Sequence, residues 1–133
     1  MILGIGNDIV DIRRIEKAFD RYGMRFADRC FTSHEQKKAQ KRESAGTHYD
    51  VYAKRFAAKE ACAKALGTGF SKNIRSKEIG IVENEDGRPF LELSGAAKDQ
   101  LETITPNGMK AVLHLSLSDE PPCAQAFVVI EAR

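Results

Sequence analysis

Residues 55–69 are the most informative segment of the chain and read Arg-Phe-Ala-Ala-Lys-Glu-Ala-Cys-Ala-Lys-Ala-Leu-Gly-Thr-Gly. Its many alanines favour a helix, and Gly67 stands where glycine commonly follows the last helical residue. The pattern therefore predicts a helix over about residues 49–66 that ends in a glycine turn. Because the alanines at 57, 58, 61, 63 and 65 leave little side-chain bulk around them, a partner or a ligand can approach the backbone closely.

One face of this helix carries Phe56, Glu60 and Lys64, which are four residues apart and stack along the axis. The turn at 67–69 follows them and adds backbone N–H groups and the Thr68 hydroxyl. A carboxylate, a cation and a flexible turn in one line suit a metal ion and a phosphate, which indicates a phosphate-handling enzyme. The alternative is a surface salt bridge between Glu60 and Lys64 before an ordinary helix end.

A second carboxylate, Asp8, lies inside the apolar run of residues 2–12, which predicts a strand. A carboxylate in an apolar strand needs a cation, hydrogen bonds or a metal ion. Asp8 and Glu60 together are a typical protein contribution to a Mg²⁺ shell, with water and phosphate as the other ligands. The alternatives are an exposed strand end and a bulge next to the glycines. Gly4-Ile5-Gly6 begins a dinucleotide fingerprint, but Ile9 stands at its third glycine, and no P-loop motif occurs.

The rest of the chain mixes helical and strand patterns. Apolar residues at 15, 19, 22 and 26 mark one helix face, and Gly23 is a candidate break that would divide this helix into two pieces. Thr32 with Glu35 resembles a helix start. Further predicted elements are strands over 78–83 and 90–93 joined by an Asp-Gly turn, a helix from a Ser94 cap to Leu101, and strands over 111–118 and 123–130 separated by a break at 119–122. The mixture predicts an α+β fold, and we expect residues 1–133 to form one domain.

Composition limits the kind of binding site. The 133 residues are 42% hydrophobic, enough for one core but not for a large internal cleft, so a bulky ligand would bind on the surface or between subunits. Residues 34–77 contain eleven Lys and Arg against four Asp and Glu. This basic middle would attract a nucleotide, a nucleic acid or an acidic protein. The alternative is a solvated helix surface rich in lysine.

The three cysteines form no CxxC pair. We interpret Cys30, Cys62 and Cys123 as reduced, buried residues of a cytoplasmic protein rather than as disulfides or zinc ligands. The amino terminus lacks a basic region before its apolar run, and no apolar run has transmembrane length. We therefore expect no export signal and no membrane span.

Taken together, these segments resemble the bacterial holo-acyl-carrier-protein synthase family of small phosphopantetheinyl transferases. The resemblance runs almost end to end and rests on Gly4-Ile-Gly-Asn-Asp-Ile-Val, Arg14-Ile15, Arg55-Phe-Ala-Ala-Lys-Glu-Ala, Lys64-Ala-Leu-Gly-Thr-Gly, Gly87-Arg-Pro89, His114-Leu-Ser-Leu-Ser118 and the closing Ala-Phe-Val-Val-Ile-Glu131. It implies an antiparallel sheet packed with a long central helix. It also implies transfer of 4′-phosphopantetheine from coenzyme A to a serine of apo acyl carrier protein, in fatty acid biosynthesis, with release of adenosine 3′,5′-bisphosphate.

The resemblance also implies roles for individual residues. Asp8 and Glu60 would ligate Mg²⁺, Glu60 and Lys64 would be catalytic, and Lys64 with Gly67, Thr68 and Gly69 would hold phosphate oxygens. Arg55 and His114 would bind the nucleotide end of coenzyme A, with Pro89 near the adenine. Arg14, with Arg21 and Arg25, would dock the acidic carrier protein. Family members form homotrimers with sites at subunit seams, which suits a chain without room for a deep cleft.

Some points stay open. The base that takes the serine proton is either Glu60 or a water polarised by the metal. Asp119 stands where some relatives carry a histidine, so this position receives no role. The rival functions are a basic RNA-binding module, a different Mg²⁺-nucleotide enzyme such as a phosphohydrolase, and a phosphopantetheinyl transferase of broad specificity.

Overall fold

A three-stranded antiparallel sheet and one long helix form the centre of the computed structural model, which describes residues 1–133. The elements are β1 (Ile2–Asp11), α1 (Ile12–Tyr22), α2 (Met24–Cys30), α3 (Ser33–Gln40), α4 (His48–Ala65), a 3₁₀ turn (Ser76–Glu78), β2 (Ile79–Glu83), β3 (Pro89–Leu93), α5 (Gly95–Ile104), β4 (Ala111–Glu120) and β5 (Cys123–Ala132). The sheet order is β1-β5-β4, and β2 and β3 form a separate antiparallel pair. The predicted α+β class and the central helix are confirmed.

Helix α4 packs across β1 and β5 because both surfaces are nearly free of bulk. Ala57, Ala58 and Ala61 are fully buried. On the facing strand, a Cβ atom added to Gly6 would lie 1.7 Å from the carbonyl oxygen of Ala61. A side chain therefore has no room there, and the glycine allows the strand backbone to touch the helix backbone.

We expect Gly6→Ala to lower the free energy of unfolding by about 1–3 kcal/mol, because the strand must move away from α4. Chemical denaturation followed by circular dichroism measures this change. Gly80→Ala in β2 is the matched control, since its added Cβ would come no closer than 3.4 Å to any atom except those of its chain neighbours. Equal stability losses in the two variants would contradict the close-contact explanation.

Most aromatic residues of the first half, Tyr22 excepted, pack against one another inside the fold. Phe19 lies 4.6 Å from Tyr52 and 5.1 Å from Phe26, measured between ring centroids. Phe31, which is fully buried, lies 4.7 Å from Tyr52. These rings are core residues, which leaves them unavailable for stacking on the bases of a nucleic acid.

A buried ion pair connects α3 and α4. Lys59 and Glu35 are 1% and 0% exposed, and the Lys59 Nζ lies 2.9 Å from a Glu35 oxygen. The same ammonium donates to the carbonyl oxygens of Ser76 and Ile79. Burial lowers the pKa of Lys59, and Glu35 opposes this by raising it. The pair therefore ties the 3₁₀ turn and β2 to the middle of the central helix.

Gly23 has a φ of +60° and ends α1, so the division of this helix into two pieces at Gly23 is confirmed. Two other local predictions need correction. Ser94 forms no side-chain cap; instead, a carboxylate oxygen of Glu78 accepts from the Ala96 N–H. Strand β4 continues to Glu120, so the break is confined to the two prolines that follow.

Other predictions are confirmed or partly corrected. The Thr32 capping box with Glu35 is present. Only Cys62 is buried as expected, whereas Cys30 and Cys123 are partly exposed, and all three thiols are free. No helix has the combination of length and apolar character needed to cross a membrane.

Candidate functional site

Asp8 and Lys64 meet where β1 crosses the end of α4. The Lys64 Nζ lies 3.1 Å from Asp8 Oδ1 and donates to the Asn7 carbonyl oxygen at 3.0 Å. The expected alternative, a salt bridge from Lys64 to Glu60, does not form within 4.0 Å. The alanines and Gly6 bring strand and helix this close, so the contact depends on the small residues around it.

Glu60 lies beside this pair and lines a surface cavity of about 660 Å³ with Phe56 and residues 74–77. Burial raises the pKa of Glu60, and the neighbouring Asp8 carboxylate raises it further, while Lys64 and Arg14 lower it. Its carboxylate makes no ion pair or side-chain hydrogen bond within the chain. Glu60 is thus a half-buried carboxylate next to a second one, and a cation between them would relieve their repulsion.

This donor set fits a hard divalent cation. The chain contains no cluster of three or more His, Cys, Asp or Glu residues that could enclose a metal ion alone. Mg²⁺ commonly takes one or two carboxylates and leaves its other positions to water and phosphate oxygens. The pairing of Asp8 and Glu60 therefore agrees with a metal ion held jointly with an anionic substrate.

The glycine turn after α4 is more ordered than the sequence suggested. The Gly67 N–H donates to the Lys64 carbonyl, and the Gly69 N–H donates to the Ala63 carbonyl. The Thr68 hydroxyl donates to the Gly69 carbonyl. Within this turn only the Thr68 N–H lacks a partner in the chain, so the turn offers one free backbone N–H group rather than three.

Arg55 and Pro89 share a second cavity of about 350 Å³, separate from the one that Glu60 lines. Arg55 precedes Glu60 by five residues, which turns its side chain roughly 140° around the helix. Its side chain is 6% exposed, its Nη2 lies 3.3 Å from a Glu83 oxygen, and its buried Nε has no partner. The chain therefore presents the predicted coenzyme A residues on two different sides.

No sequence pattern singles out Glu83, yet this residue organises the second cavity. Its carboxylate accepts from His34 at 3.0 Å and lies 3.4 Å from the Lys38 ammonium. Burial raises the pKa of Glu83, but the His34 hydrogen bond and the charges of Lys38 and Arg55 lower it overall. No local motif could have revealed this role, because the four residues come from three separate elements.

His114 lies on an exposed face of the three-stranded sheet and not in either cavity. Its Nε2 is 2.8 Å from a Glu131 carboxylate oxygen on the adjacent strand. The same face presents Ile5, Ile9 and Phe127, which are 59%, 62% and 44% exposed. This outward face is apolar as well as polar, and the chain itself leaves it uncovered.

The three predicted docking arginines are all exposed. Arg14 and Arg21 lie on α1, while Arg25 lies on α2 beyond the break at Gly23. None forms an ion pair within 4.0 Å, and Arg21 stacks on the Tyr22 ring at 5.2 Å. Arg14 is close enough to Glu60 to lower its pKa. The stripe therefore begins beside the carboxylate pair.

Comparison with known proteins defines the class of this protein. The chain belongs to the 4′-phosphopantetheinyl transferase superfamily, whose family model matches residues 4–122. The holo-[acyl-carrier-protein] synthase of Brucella ovis is 50% identical over 132 residues, which cover 99% of this chain and 96% of that protein. The chain is thus a phosphopantetheinyl transferase of the holo-[acyl-carrier-protein] synthase type.

Solved structures agree with this result. The holo-[acyl-carrier-protein] synthase of Neisseria meningitidis matches with a TM-score of 0.83 and 40% identity, covering 98% of this chain and 99% of that one. The Helicobacter pylori enzyme, solved in complex with coenzyme A, matches with a TM-score of 0.78 and 31% identity over 96% and 99% of the two chains.

Proposed function

We propose that Asp8, Glu60 and Lys64 carry the reaction of this enzyme, the transfer of 4′-phosphopantetheine from coenzyme A to a serine of apo acyl carrier protein. The product adenosine 3′,5′-bisphosphate is released, and the loaded carrier serves fatty acid biosynthesis. The proposal treats residues 1–133 as one catalytic domain in the cytoplasm. The observation that carries it is the convergence of Asp8 and Lys64 at 3.1 Å next to the half-buried Glu60.

The reaction is a displacement at phosphorus. The serine oxygen forms a bond to the phosphorus that bears the pantetheine arm, and the bond from that phosphorus to the bridging oxygen of the diphosphate breaks. Glu60, or a water next to it, takes the serine proton. Lys64 adds positive charge near the phosphate oxygens as negative charge develops on the leaving group.

Asp8 and Glu60 would hold Mg²⁺. The bound ion would neutralise the diphosphate and stabilise the leaving bisphosphate. Until substrate arrives, Lys64 pairs with Asp8, whose side chain is 18% exposed, and so holds this carboxylate in place. We infer that the Thr68 N–H, the one unpaired N–H of the turn, points to a phosphate oxygen, whereas Gly67 and Gly69 contribute by shaping the turn.

We also propose that each active site forms between two subunits of a homotrimer. Supporting this, Glu60 and Arg55 line different cavities of the same chain, so one subunit cannot offer both to one coenzyme A molecule in a single pocket. Arg55 and Pro89 of one copy would bind the nucleotide end, and Asp8, Glu60 and Lys64 of the neighbour would bind the diphosphate. His114 would reach the nucleotide across the same seam.

The apolar outward face of the sheet supports self-association. Ile5, Ile9 and Phe127 together expose more apolar surface than scattered single residues do, which is typical of an interaction surface. Antiparallel pairing sets Phe127 beside Asn7 in the middle of this face. A second copy of the chain is therefore the expected occupant.

We expect Phe127→Glu to dissociate the trimer into monomers of 14.8 kDa and to abolish most transfer activity. Burying a carboxylate in an apolar interface without a partner is strongly unfavourable. Size-exclusion chromatography with light scattering measures the mass. Met24→Glu, at an exposed position on α2 away from the sheet, is the control and should leave the mass unchanged. A trimeric Phe127→Glu variant would rule out this face as the interface.

The direct test of function is to incubate the protein with coenzyme A, Mg²⁺ and apo acyl carrier protein and to weigh the carrier by mass spectrometry. A gain of one phosphopantetheine that EDTA abolishes, and that a serine-to-alanine carrier never shows, is the expected result. No gain from a folded protein would contradict the proposed reaction. Hydrolysis of coenzyme A without transfer would favour the phosphohydrolase alternative.

A further inference from the structure

The cavity beside Glu60 has a basic rim, which we define as Arg29, Arg75 and Lys77. All three side chains are exposed. None of them forms an ion pair within 4.0 Å. Asp28 is the only acidic residue besides Glu60 that lines this cavity. The rim therefore presents positive charge that nothing within the chain neutralises.

The chain holds the segment that carries Arg75 and Lys77 firmly. Ile74 is only 4% exposed and anchors one end in the core. The Ser76 carbonyl accepts from the buried Lys59 ammonium at 3.0 Å, and a Glu78 carboxylate oxygen accepts from the Arg75 N–H at 2.8 Å. The backbone beneath the two cations is thus fixed before any partner binds, which reduces the entropy cost of binding.

The basic rim is continuous with the proposed carrier-docking stripe. A shallower cavity on α1 and α2, which Arg25 lines, shares Arg29 and Cys30 with the cavity beside Glu60. A strip of exposed cations therefore runs from Arg25 through Arg29 to Arg75 and ends near the carboxylate that the transfer requires. A globular partner whose serine reaches Glu60 must cover the rim of this cavity.

We propose that the basic rim is a second docking surface for the acidic carrier protein. The rim would contact the carrier next to its target serine, while Arg14, Arg21 and Arg25 bind another part of the carrier. This inference rests on the proposed function. The carrier is a better occupant than the phosphates of coenzyme A for a geometric reason. The rim cations are exposed on a loop and a helix end, whereas the phosphate-binding residues lie along β1 and the end of α4.

The test is the double substitution Arg75→Glu with Lys77→Glu, assayed by steady-state transfer to apo carrier. Reversing two charges at the edge of an interface is expected to raise the KM for the carrier about tenfold. The KM for coenzyme A and the kcat should change less than about twofold. Because the rim acts through long-range attraction, the carrier KM of the variant should also depend less on salt than that of the wild-type enzyme.

Lys98→Glu with Lys110→Glu is the matched control, since both lysines are exposed and lie outside the cavity. This double substitution changes the net charge by the same amount as the rim variant. An unchanged carrier KM in the rim variant, or an equal change in the control, would overturn the proposal. An equal rise in the KM for coenzyme A would also overturn it and assign the rim to phosphate binding. Arg75→Gln with Lys77→Gln, expected to show a smaller rise, repeats the measurement if charge reversal unfolds the chain.

The transfer reaction and the docking surface are refuted by different results. A wild-type enzyme that never loads the carrier refutes the proposed function together with this docking surface. A wild-type enzyme that loads the carrier normally, beside a rim variant with unchanged kinetics, refutes the docking surface alone.

Discussion

The Glu60→Gln variant is expected to lose transfer activity by about 10²–10⁴-fold while remaining folded. Glutamine keeps the size of the side chain but removes the negative charge that would hold a metal ion. It also removes a basic carboxylate, the group that would take the serine proton or orient the water that takes it. Because Glu60 makes no hydrogen bond or ion pair within the chain, its loss should leave the free energy of unfolding nearly unchanged. Coupled measurements of turnover and of thermal unfolding separate the two effects.

The matched control for this substitution is Glu102→Gln, at an exposed position on α5 away from both cavities. It should retain full activity. Asp8→Asn is expected to need more Mg²⁺ for half-maximal turnover, because the ion would lose one of its two protein ligands. Near-normal turnover of folded Glu60→Gln, or an unchanged Mg²⁺ requirement of folded Asp8→Asn, would refute the metal assignment.

The Lys59→Met variant is expected to lose about 3–5 kcal/mol of unfolding free energy, since it leaves the fully buried Glu35 carboxylate without its cation. Methionine fills a similar volume, so cavity formation contributes little. The variant should also loosen the segment at 76–79, whose carbonyl groups the lysine binds. Urea unfolding followed by circular dichroism measures the loss.

A second substitution shows whether the charge is the cause. Glu35→Gln combined with Lys59→Met removes both charges and keeps an oxygen that can accept from the Thr32 or Ile81 N–H. We expect this double variant to be more stable than Lys59→Met alone, which is a non-additive result. Lys98→Met, an exposed change on α5, should stay within about 0.5 kcal/mol of wild type. A double variant no more stable than the single one would exclude the buried charge as the cause.

Much of the secondary structure could be predicted because it depends on neighbours along the chain. The predicted 49–66 helix and the observed His48–Ala65 helix differ by one residue at each end, since alanine and glycine act locally on helix formation and termination. The capping box at Thr32 is equally local. The cap of α5 was mispredicted because Glu78, which supplies it, lies 16 residues before Ser94 in the chain.

The residues of the candidate site could be predicted from the sequence, but their contacts could not. Helical spacing alone allowed Lys64 to pair with Glu60, and sequence periodicity could not choose between that bridge and an open site. In the folded chain Lys64 pairs with Asp8, 56 residues away, because Gly6 lets β1 touch α4. The separation of Arg55 from Glu60 into two cavities also depends on tertiary structure, since α4 lines each cavity together with different elements.

The sequence is sufficient to predict most helices and strands, the family and the residue types available for chemistry, because each of these follows from local pattern or from an ordered set of motifs. Only the folded chain shows which charges meet and which N–H group of the glycine turn remains free. It alone also shows that Glu83 and Lys59 organise the surroundings of the site. These outcomes depend on contacts between elements that are distant in the chain, and burial gives such contacts their energy.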